Sequence, residues 1–377
     1  MKIAINCSSL RAQKTGIGFY INNLCEALYL EGLCELSLFD GLNWVNELSS
    51  DHSNEVISRG VVSVAKYLPK EIKNKIREHF FKTKIRSSRL DLYHEPNFIP
   101  ICFDLPTIIT VHDMSIFRMP AAHRKELVSF FNKKFPEAIK RSQGIIVDSN
   151  FSKDEVISYF PEVAHKIFVV HLAPSRNFYP RTFQETQLAL NIYHLEYKKY
   201  FLSVGTMEPR KNLITMLRAF KSLPQVVKNN YPLVIVGGKG WGGDQYLNEF
   251  QEIILNGQVK FLGYVDEVTL PYLYSGATLM AYPSIYEGFG LPPIEAMSCG
   301  TPVVVSNTTS LPEVVGNAGI QISPLDVDQL KEVMLRIIED KIFSDEIVNL
   351  GIKQAKNFTW QKTAQQTYLA YQKTLNI

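Results

Sequence analysis

The sequence has no long hydrophobic run and no low-complexity tract. Every uninterrupted apolar segment is far shorter than the ~20 residues that a membrane-spanning helix requires, which excludes an anchor of that kind. The first six residues (MKIAIN) have neither the apolar core nor the small-residue cleavage site of a secretory signal. With 46% hydrophobic and 20% charged residues, the composition predicts a soluble globular protein whose fold begins with a strand.

Cysteine is scarce, and the five cysteines are scattered along the chain. No two of them have the spacing of a zinc site or a redox pair, and their odd number does not suit a disulfide framework. This excludes a disulfide-stabilised secreted domain and predicts a cytoplasmic location. The cysteines are Cys7, Cys25, Cys34, Cys102 and Cys299.

Net charge is only +3, but positive charge is concentrated at residues 66–89, where nine Lys or Arg face two Glu. Ile72, Ile76, Phe80 and Phe81 recur there at near-helical spacing. The pattern predicts an amphipathic helix that either lies on an anionic membrane, with the two phenylalanines entering the interface, or packs as an ordinary surface helix. No nucleic-acid-binding motif accompanies it, so no nucleic acid partner is expected.

Short β-branched runs alternate with helical patterns along the whole chain. At 377 residues the chain exceeds what one hydrophobic core usually fills, so two domains are expected. The alternation predicts the α/β class, with two Rossmann-like, doubly wound parallel sheets. A Pro-rich polar stretch at 173–180 predicts a linker and hence domains of residues 1–175 and 176–357. Strands are predicted at 2–5, 34–39, 90–93, 107–110, 144–147, 167–170, 200–204, 233–236, 259–261, 279–281, 302–305 and 319–322, and helices at 19–30, 123–141, 213–223 and 326–338.

Four glycine-rich or polar segments come after predicted strands. Open α/β sheets bind ligands beyond the carboxyl ends of their strands, so these segments are candidate binding loops. The first lacks the third glycine of the dinucleotide fingerprint and is a weak signal by itself. The segments are TGIGF at 15–19, His112-Asp113, GTMEPRKN at 205–212 and YEGFGLPPIE at 286–295.

The segment YEGFGLPPIE is the most informative one. A glycine turn before a helix start exposes backbone N–H groups that suit a phosphate or sugar oxygen. Pro292 and Pro293 suit the first helical turn, where no N–H is needed. Glu287 and Glu295 then face one ligand site, where each carboxylate accepts hydrogen bonds from vicinal hydroxyls. The alternative is an ordinary strand–turn–helix with two solvated glutamates.

Arg210, Lys211 and His112 add charge at the same strand ends. A guanidinium and an ammonium beside free backbone N–H groups suit a diphosphate, and a solvated surface pair is the alternative. His112 follows an apolar strand and suits a hydrogen-bond donor or proton carrier. The alternative is that His112 is a buried core histidine and that Asp113 caps the next element.

These motifs resemble the retaining glycosyltransferases of family 4, which have the GT-B fold of two Rossmann-like domains facing a central cleft. The resemblance spans nearly the whole chain and is most specific in its second half. The segments VHD, EPRKN and YEGFG are most similar to those of bacterial GDP-mannose-dependent mannosyltransferases of O-antigen or mannan assembly. The matching segments are FLSVGTMEPRKNL at 201–213, FLGYV at 261–265, EGFGLPPIEAMSCGTPVVVSNTTSLPE at 287–313, GIG at 16–18 and TVHD at 110–113.

The resemblance implies a role for each motif. Arg210 and Lys211 hold the donor diphosphate, Glu295 bonds the ribose, and Glu287 bonds the donor sugar. His112 bonds the far sugar hydroxyl or the transition-state charge. The implied catalytic residues are His112, Arg210, Lys211 and Glu287, and the implied donor-binding residues are Gly16, Gly18, Gly205, Arg210, Lys211, Tyr264, Val265, Glu287, Gly288, Phe289, Gly290, Leu291 and Glu295. The family has no Asp-x-Asp metal motif at its donor site, so neither a metal nor another cofactor is expected.

The resemblance also implies the reaction and its partners. We expect a retaining transfer of mannose from GDP-mannose to a polyprenyl-diphosphate-linked glycan, by front-face attack, with the first domain binding the acceptor. The enzyme is expected at the cytoplasmic face of the bacterial inner membrane, and the helix at 358–377 is expected to cross back to the first domain. The alternatives are a UDP- or dTDP-sugar donor, carrying glucose, N-acetylglucosamine or rhamnose, and a catalytically silent nucleotide-sugar or glycan-binding module.

Overall fold

The computed structural model of the protein describes residues 1–11, 16–41, 43–45, 70–87, 89–238, 240 and 249–376. The chain divides into two compact units. Unit 1 comprises Met1–Phe117, Lys125–Leu172 and Trp360–Ile377, and unit 2 comprises Arg118–Arg124 and Ala173–Thr359.

Strands and helices alternate through both units. The strands are β1 (Lys2–Asn6), β2 (Glu35–Phe39), β3 (Trp44–Val45), β4 (Leu92–Glu95), β5 (Thr107–Val111), β6 (Gly144–Val147), β7 (Ile167–Val169), β8 (Phe201–Val204), β9 (Leu233–Val236), β10 (Val259–Gly263), β11 (Leu279–Tyr282), β12 (Val303–Ser306) and β13 (Ile320–Ile322). The helices are α1 (Gly16–Leu30), α2 (Lys70–Ser87), α3 (Ser115–Arg118), α4 (Lys125–Arg141), α5 (Asn150–Tyr159), α6 (Phe183–Ile192), α7 (Leu213–Lys221), α8 (Gln225–Asn230), α9 (Gln251–Leu255), α10 (Leu270–Gly276), α11 (Leu291–Ser298), α12 (Leu311–Val315), α13 (Val327–Glu339), α14 (Lys341–Ala355) and α15 (Trp360–Thr374).

Each unit contains one sheet with the strand order of a doubly wound fold. The order is β3-β2-β1-β4-β5-β6-β7 in unit 1 and β10-β9-β8-β11-β12-β13 in unit 2. All pairings are parallel except that of β3 with β2. The order reverses between β1 and β4 and between β8 and β11, and ligands of such sheets bind at these reversals.

The central strands are buried on both faces, which explains their nearly continuous apolar sequences. All residues of β5, β9, β11 and β12 are buried. In unit 2 the helices α7 and α13 add buried side chains to the same core, among them Met216, Phe220 and Met334. This burial holds the strand ends, and therefore the loops that follow them, in fixed positions.

Helix α15 belongs to unit 1, where a buried polar chain ties it to the sheet. The hydroxyl of Tyr371 lies 2.7 Å from Nδ1 of His94, and Nε2 of His94 lies 2.8 Å from Oγ1 of Thr110. The Tyr20 hydroxyl, on α1, lies 3.0 Å from the same Thr110 oxygen. Burial lowers the pKa of His94 to about 3, so this histidine is neutral at pH 7. Its two hydrogen bonds link helix α15 to the sheet.

The α/β class and the two parallel sheets are confirmed. All twelve predicted strands occur, with ends displaced by at most two residues, whereas the two-residue β3 was not predicted. Such a short edge strand carries too little pattern to be detected.

The structure corrects one part of the prediction for the basic segment. Phe81 is fully buried, with its ring 4.7 Å from that of Tyr93 and 5.0 Å from that of Phe39, so it is a core residue of unit 1 and does not reach a membrane. Phe80 is half exposed, and Lys82 pairs with Glu78 at 2.6 Å. Residues 66–69 and 88 lie outside the described residues. Within the described chain, no helix combines the length and apolar character needed to cross a bilayer.

At Gly237, the loops that follow β8 and β9 of unit 2 approach each other closely. Its φ is +148°, and a Cβ atom would lie 2.0 Å from the Gly205 carbonyl oxygen. Gly237→Ala should therefore lower the free energy of unfolding by about 2 kcal/mol or more. Thermal unfolding measures the effect. Gly238→Ala is the matched control, since a Cβ there meets nothing within 4 Å, and equal losses in both variants would contradict the steric explanation.

Candidate functional site

Two loops meet at the carboxyl edge of the unit 2 sheet. One follows β8 and contains the 3₁₀ turn Pro209–Lys211, after which Asn212, with a left-handed φ of 56°, leads into α7. The other follows β11 and ends at α11. Strands β8 and β11 are neighbours where the strand order reverses, so the loops occupy the usual ligand position of this kind of sheet.

Glu287 joins the two loops by bonding two cations. Lys211 Nζ lies 2.7 Å from Oε1 of Glu287, and Arg210 Nη1 lies 3.1 Å from Oε2. Arg210 also donates from Nε to Glu208 at 2.9 Å and from Nη1 to the Tyr286 carbonyl oxygen at 3.2 Å. The structure thus brings together three of the predicted residues, Arg210, Lys211 and Glu287, in direct contact. We call these three side chains with Glu208 the ion cluster.

Hydroxyl groups hold the ion cluster in place. Ser284 donates to Oε1 of Glu287 at 2.6 Å, and Lys211 Nζ donates to the Tyr282 hydroxyl at 2.5 Å. Ser310 Oγ lies 2.9 Å from the Glu287 carbonyl oxygen. The sequence analysis identified none of these three hydroxyl residues. Their only signal was a position next to the predicted loops.

Burial and opposite charge act against each other in the ion cluster. Burial raises the pKa of Glu287, but attraction by Lys211 and Arg210 outweighs it and lowers the value to about 2. Burial, aided by repulsion from Arg210, lowers the pKa of Lys211 against the attraction of Glu287. At pH 7 Glu287 is therefore a carboxylate held between two cations.

The glycine turn before α11 is built as predicted. Gly290 is the N-cap of α11 with φ of 110°, and a Cβ there would lie 2.7 Å from Cδ2 of Leu311. Pro292 and Pro293 occupy the first helical turn. Leu291 is consequently the one residue among the first three of α11 that carries a backbone N–H. Gly288 and Phe289 are buried in the same turn.

Glu295 lies on α11 and is not part of the ion cluster. It accepts a hydrogen bond from the Tyr274 hydroxyl of α10 at 3.0 Å, and burial raises its pKa to about 7. Of the other implied donor-binding residues, Tyr264 is half exposed and Val265 is buried. Gly205 follows β8, and a Cβ there would lie 3.7 Å from Cδ of Lys211.

The remaining predicted residues lie in unit 1. Gly16 and Gly18 are in the first turn of α1 rather than in a loop, and residues 12–15 lie outside the described chain. Both ring nitrogens of His112 are engaged, Nδ1 with Oδ2 of Asp148 at 2.8 Å and Nε2 with the Pro96 carbonyl oxygen at 2.9 Å. Two acceptors require two N–H donors. This geometry favours an imidazolium paired with Asp148 and leaves no ring nitrogen open.

Unit 1 contains a buried acid that the sequence analysis missed. Glu95 ends β4 at the strand-order reversal, where its Oε2 accepts from Asn6 at 2.7 Å and from the Tyr93 hydroxyl at 2.5 Å. The Asn97 backbone N–H lies 3.2 Å from Oε1. Burial raises the pKa of Glu95 to about 7. A single glutamate at a strand end gave no pattern from which this cluster was predictable.

The described residues contain no group of three or more His, Cys, Asp or Glu side chains arranged for a metal ion. Asp326 and Asp328 have Asp-x-Asp spacing, but Asp326 is the N-cap of α13 and accepts from the Gln329 backbone N–H at 2.9 Å. That pair has a structural explanation, and the absence of a metal from the reaction remains a prediction.

The ion cluster makes stability depend on pH. The folded-state pKa of Glu287 lies below its ordinary value of 4.5, so its stabilisation is complete above pH 4.5 and declines as pH falls towards 2. Glu287→Gln should destabilise the protein at pH 7 by about 3 kcal/mol, because it leaves two cations without their shared partner. Urea unfolding at several pH values measures the difference between parent and variant, which should shrink on acidification. The exposed Glu346→Gln is the control, and a loss independent of pH would contradict the ionic explanation.

Comparison with known proteins agrees with the motifs and the fold. A family model described as glycosyl transferases group 1 matches residues 191–354. The O-antigen chain mannosyltransferase B of Escherichia coli is 36% identical over 379 residues, covering 98% of this chain and 99% of that protein.

Solved structures match nearly the whole chain. Sucrose-phosphate synthase from Thermosynechococcus elongatus aligns with a TM-score of 0.73 at 20% identity, covering 99% of this chain and 98% of that one. WaaG, a glycosyltransferase involved in lipopolysaccharide biosynthesis, aligns with a TM-score of 0.71 at 13% identity and 98% coverage of each chain. These likenesses confirm the GT-B fold that the sequence motifs implied. Together with the full-length relative, they show that the chain belongs to the group 1 glycosyltransferases and is a glycosyltransferase enzyme.

Proposed function

We propose that this enzyme transfers mannose from GDP-mannose, with retention of anomeric configuration, to a lipid-linked glycan during O-antigen assembly. The observation that carries the proposal is the buried ion cluster at the strand-order reversal of unit 2. Two cations held rigidly at that position suit the diphosphate of a nucleotide sugar. The full-length relative, an O-antigen chain mannosyltransferase, supports the choice of sugar and pathway class.

The charges of the ion cluster define how a diphosphate binds. Arg210 and Lys211 face Glu208 and Glu287, so the four side chains are formally neutral together. A diphosphate therefore competes with the two carboxylates for the cations. Glu287 is buried and also accepts a hydrogen bond from Ser284, so it remains in place. Among the described residues, Glu208 forms an ion pair with Arg210 alone, so it is the carboxylate that the diphosphate displaces.

This arrangement changes the proposed role of Glu287. Both of its carboxylate oxygens already accept hydrogen bonds from the cations. We therefore assign Glu287 to positioning Arg210 and Lys211, instead of giving its main contacts to the donor sugar. Glu295, whose pKa of about 7 allows it to donate or accept, is assigned to the ribose hydroxyls.

The proposed chemistry needs no base beneath the sugar. The bond between the anomeric carbon and the diphosphate oxygen breaks, and the acceptor oxygen attacks from the same face. The acceptor's proton passes to the departing phosphate oxygen. Arg210 and Lys211 stabilise the negative charge that grows on GDP as it leaves. His112, as an imidazolium paired with Asp148, contributes positive charge from unit 1 in place of a direct bond to the sugar.

The acceptor and location complete the proposal. A polyprenyl-diphosphate-linked glycan is held at a membrane, so the enzyme works at the cytoplasmic face of the inner membrane. This assignment comes from the pathway named for the relative. The exposed Lys75 of α2 offers unit 1 a modest attraction to anionic lipid.

A nucleotide panel followed by a transfer assay tests the proposed function. GDP should raise the melting temperature more than UDP, ADP or dTDP, and GDP-mannose should yield an α-mannosyl product by proton NMR. Lys211→Ala should abolish most turnover without unfolding the protein, whereas the exposed Lys353→Ala should not. Stabilisation by UDP instead of GDP would overturn the donor. Donor binding without any transfer would identify a silent binding module.

A further inference from the structure

A cavity lies at the amino edge of the unit 2 sheet, the edge away from the ion cluster. Its volume is about 340 Å³. It is formed by segments that precede β8, β9 and β10 and by residues at or just beyond the ends of α6, α8 and α9. The lining includes three lysines, Lys199, Lys228 and Lys260, against one acid, Glu196. The cavity is therefore cationic.

The lysines of this cavity are not neutralised by carboxylates. Lys260 Nζ donates to the His194 carbonyl oxygen at 2.7 Å, and Lys228 Nζ donates to that of Lys221 at 3.2 Å. Lys199 Nζ lies 5.4 Å from the centre of the Tyr231 ring. Among the described residues these three ammonium groups form no ion pair. Hydrogen bonds from a lysine to backbone carbonyls at the carboxyl end of a helix are favourable. Here they fix the positions of Lys260 and Lys228 without neutralising the two positive charges.

Exposed aliphatic side chains lie on the helices whose ends form the same cavity. In the described chain, seven large hydrophobic side chains are at least 65% exposed, and four of these seven lie on the three helices whose ends form the cavity. They are Leu188 (82%), Ile192 (71%), Val226 (65%) and Leu255 (77%). Leu188 and Ile192 are one helical turn apart on α6, and Val226 shares a face of α8 with the cavity residues Asn229 and Asn230. Such a concentration of exposed apolar surface marks an interaction site.

We propose that this edge of unit 2 docks on an anionic phospholipid bilayer. The cavity receives headgroup phosphates, and the four aliphatic side chains enter the interfacial layer. Unpaired lysines beside exposed aliphatic residues are complementary to anionic lipid in both charge and polarity. The inference rests on the proposed membrane-anchored acceptor for its biological purpose, and it places the docking surface on unit 2, separate from the basic helix α2 of unit 1.

Vesicle flotation with two separate variants tests the docking surface. The protein should float with vesicles of phosphatidylcholine and phosphatidylglycerol, and not with phosphatidylcholine alone. Lys199→Glu with Lys228→Glu should weaken binding about 25-fold or more, since each lysine near the surface contributes about a factor of five. Leu188→Ser with Ile192→Ser should weaken it comparably without changing the charge. All four substituted side chains lie at the surface or at the cavity wall, and thermal unfolding checks the fold of each variant.

Matched controls separate this surface from its rivals. Lys353→Glu with Lys356→Glu makes the same charge change elsewhere on unit 2, and Leu325→Ser with Ile342→Ser removes equally exposed aliphatic groups; both should float like the parent. Lys75→Glu with Phe80→Ser on α2 should weaken binding far less than the docking variants do. Unchanged flotation of the docking variants, or loss only in the α2 variant, would overturn the proposal.

Two further measurements test for other ligands of this surface and separate this proposal from the proposed function. Binding of inorganic phosphate in the cavity without vesicle binding would reveal a soluble anion site, and a dimer lost in Leu188→Ser with Ile192→Ser would reveal a second copy; either result overturns the lipid assignment. The thermal shift with GDP, measured on the same proteins, should be unaffected by the docking variants. If GDP does not raise the melting temperature of the parent protein, the proposed function is wrong. If GDP does raise it but the parent does not float with anionic vesicles, only this inference is wrong.

Discussion

The shared carboxylate of Glu287 is the interaction on which the candidate site of unit 2 depends. Arg210 and Lys211 are mostly withdrawn from water, where an isolated cation is costly, and Glu287 provides the opposite charge to both. It also links the loop after β8 to the loop after β11, so that one side chain fixes the geometry of two segments far apart in sequence. Tyr282 and Ser284 complete the hydrogen bonds that a buried charged group needs.

Sheet topology explains why this ion cluster forms where it does. In each unit the strand order reverses between two central strands, and the loops beyond those strands diverge to opposite faces. In unit 2 the ion cluster lies where these loops diverge, and in unit 1 Asn6 and Glu95 lie at the corresponding position. The same architecture therefore supplies two polar sites. The site in unit 2 suits a diphosphate. The site in unit 1 holds in place, through hydrogen bonds, the loop that carries Pro96, a hydrogen-bond partner of His112.

The sequence predicted the parallel sheets and three residues of the ion cluster because both produce recognisable local patterns. Buried strands have short apolar sequences, and Arg210, Lys211 and Glu287 lie in the segments that come after two such strands. Tyr282, Ser284 and Ser310 were not predictable, since single hydroxyl residues are common and their partners are distant in sequence. The burial of Phe81 was equally hidden, because two adjacent phenylalanines on an amphipathic helix do not reveal which of them faces the core. Likewise, the engagement of both His112 nitrogens depends on Asp148 and Pro96, which only the fold brings near.

The most direct test of the central claim, that the ion cluster recognises a diphosphate, is calorimetric titration of the protein with GDP and with GMP. The parent protein should bind GDP about tenfold or more tightly than GMP, because the second phosphate reaches the buried cations. Lys211→Ala should lose most of that preference while its affinity for GMP stays nearly unchanged. A variant that retains the parent's ratio of GDP to GMP affinity would contradict the claim, and the diphosphate would then have to bind elsewhere.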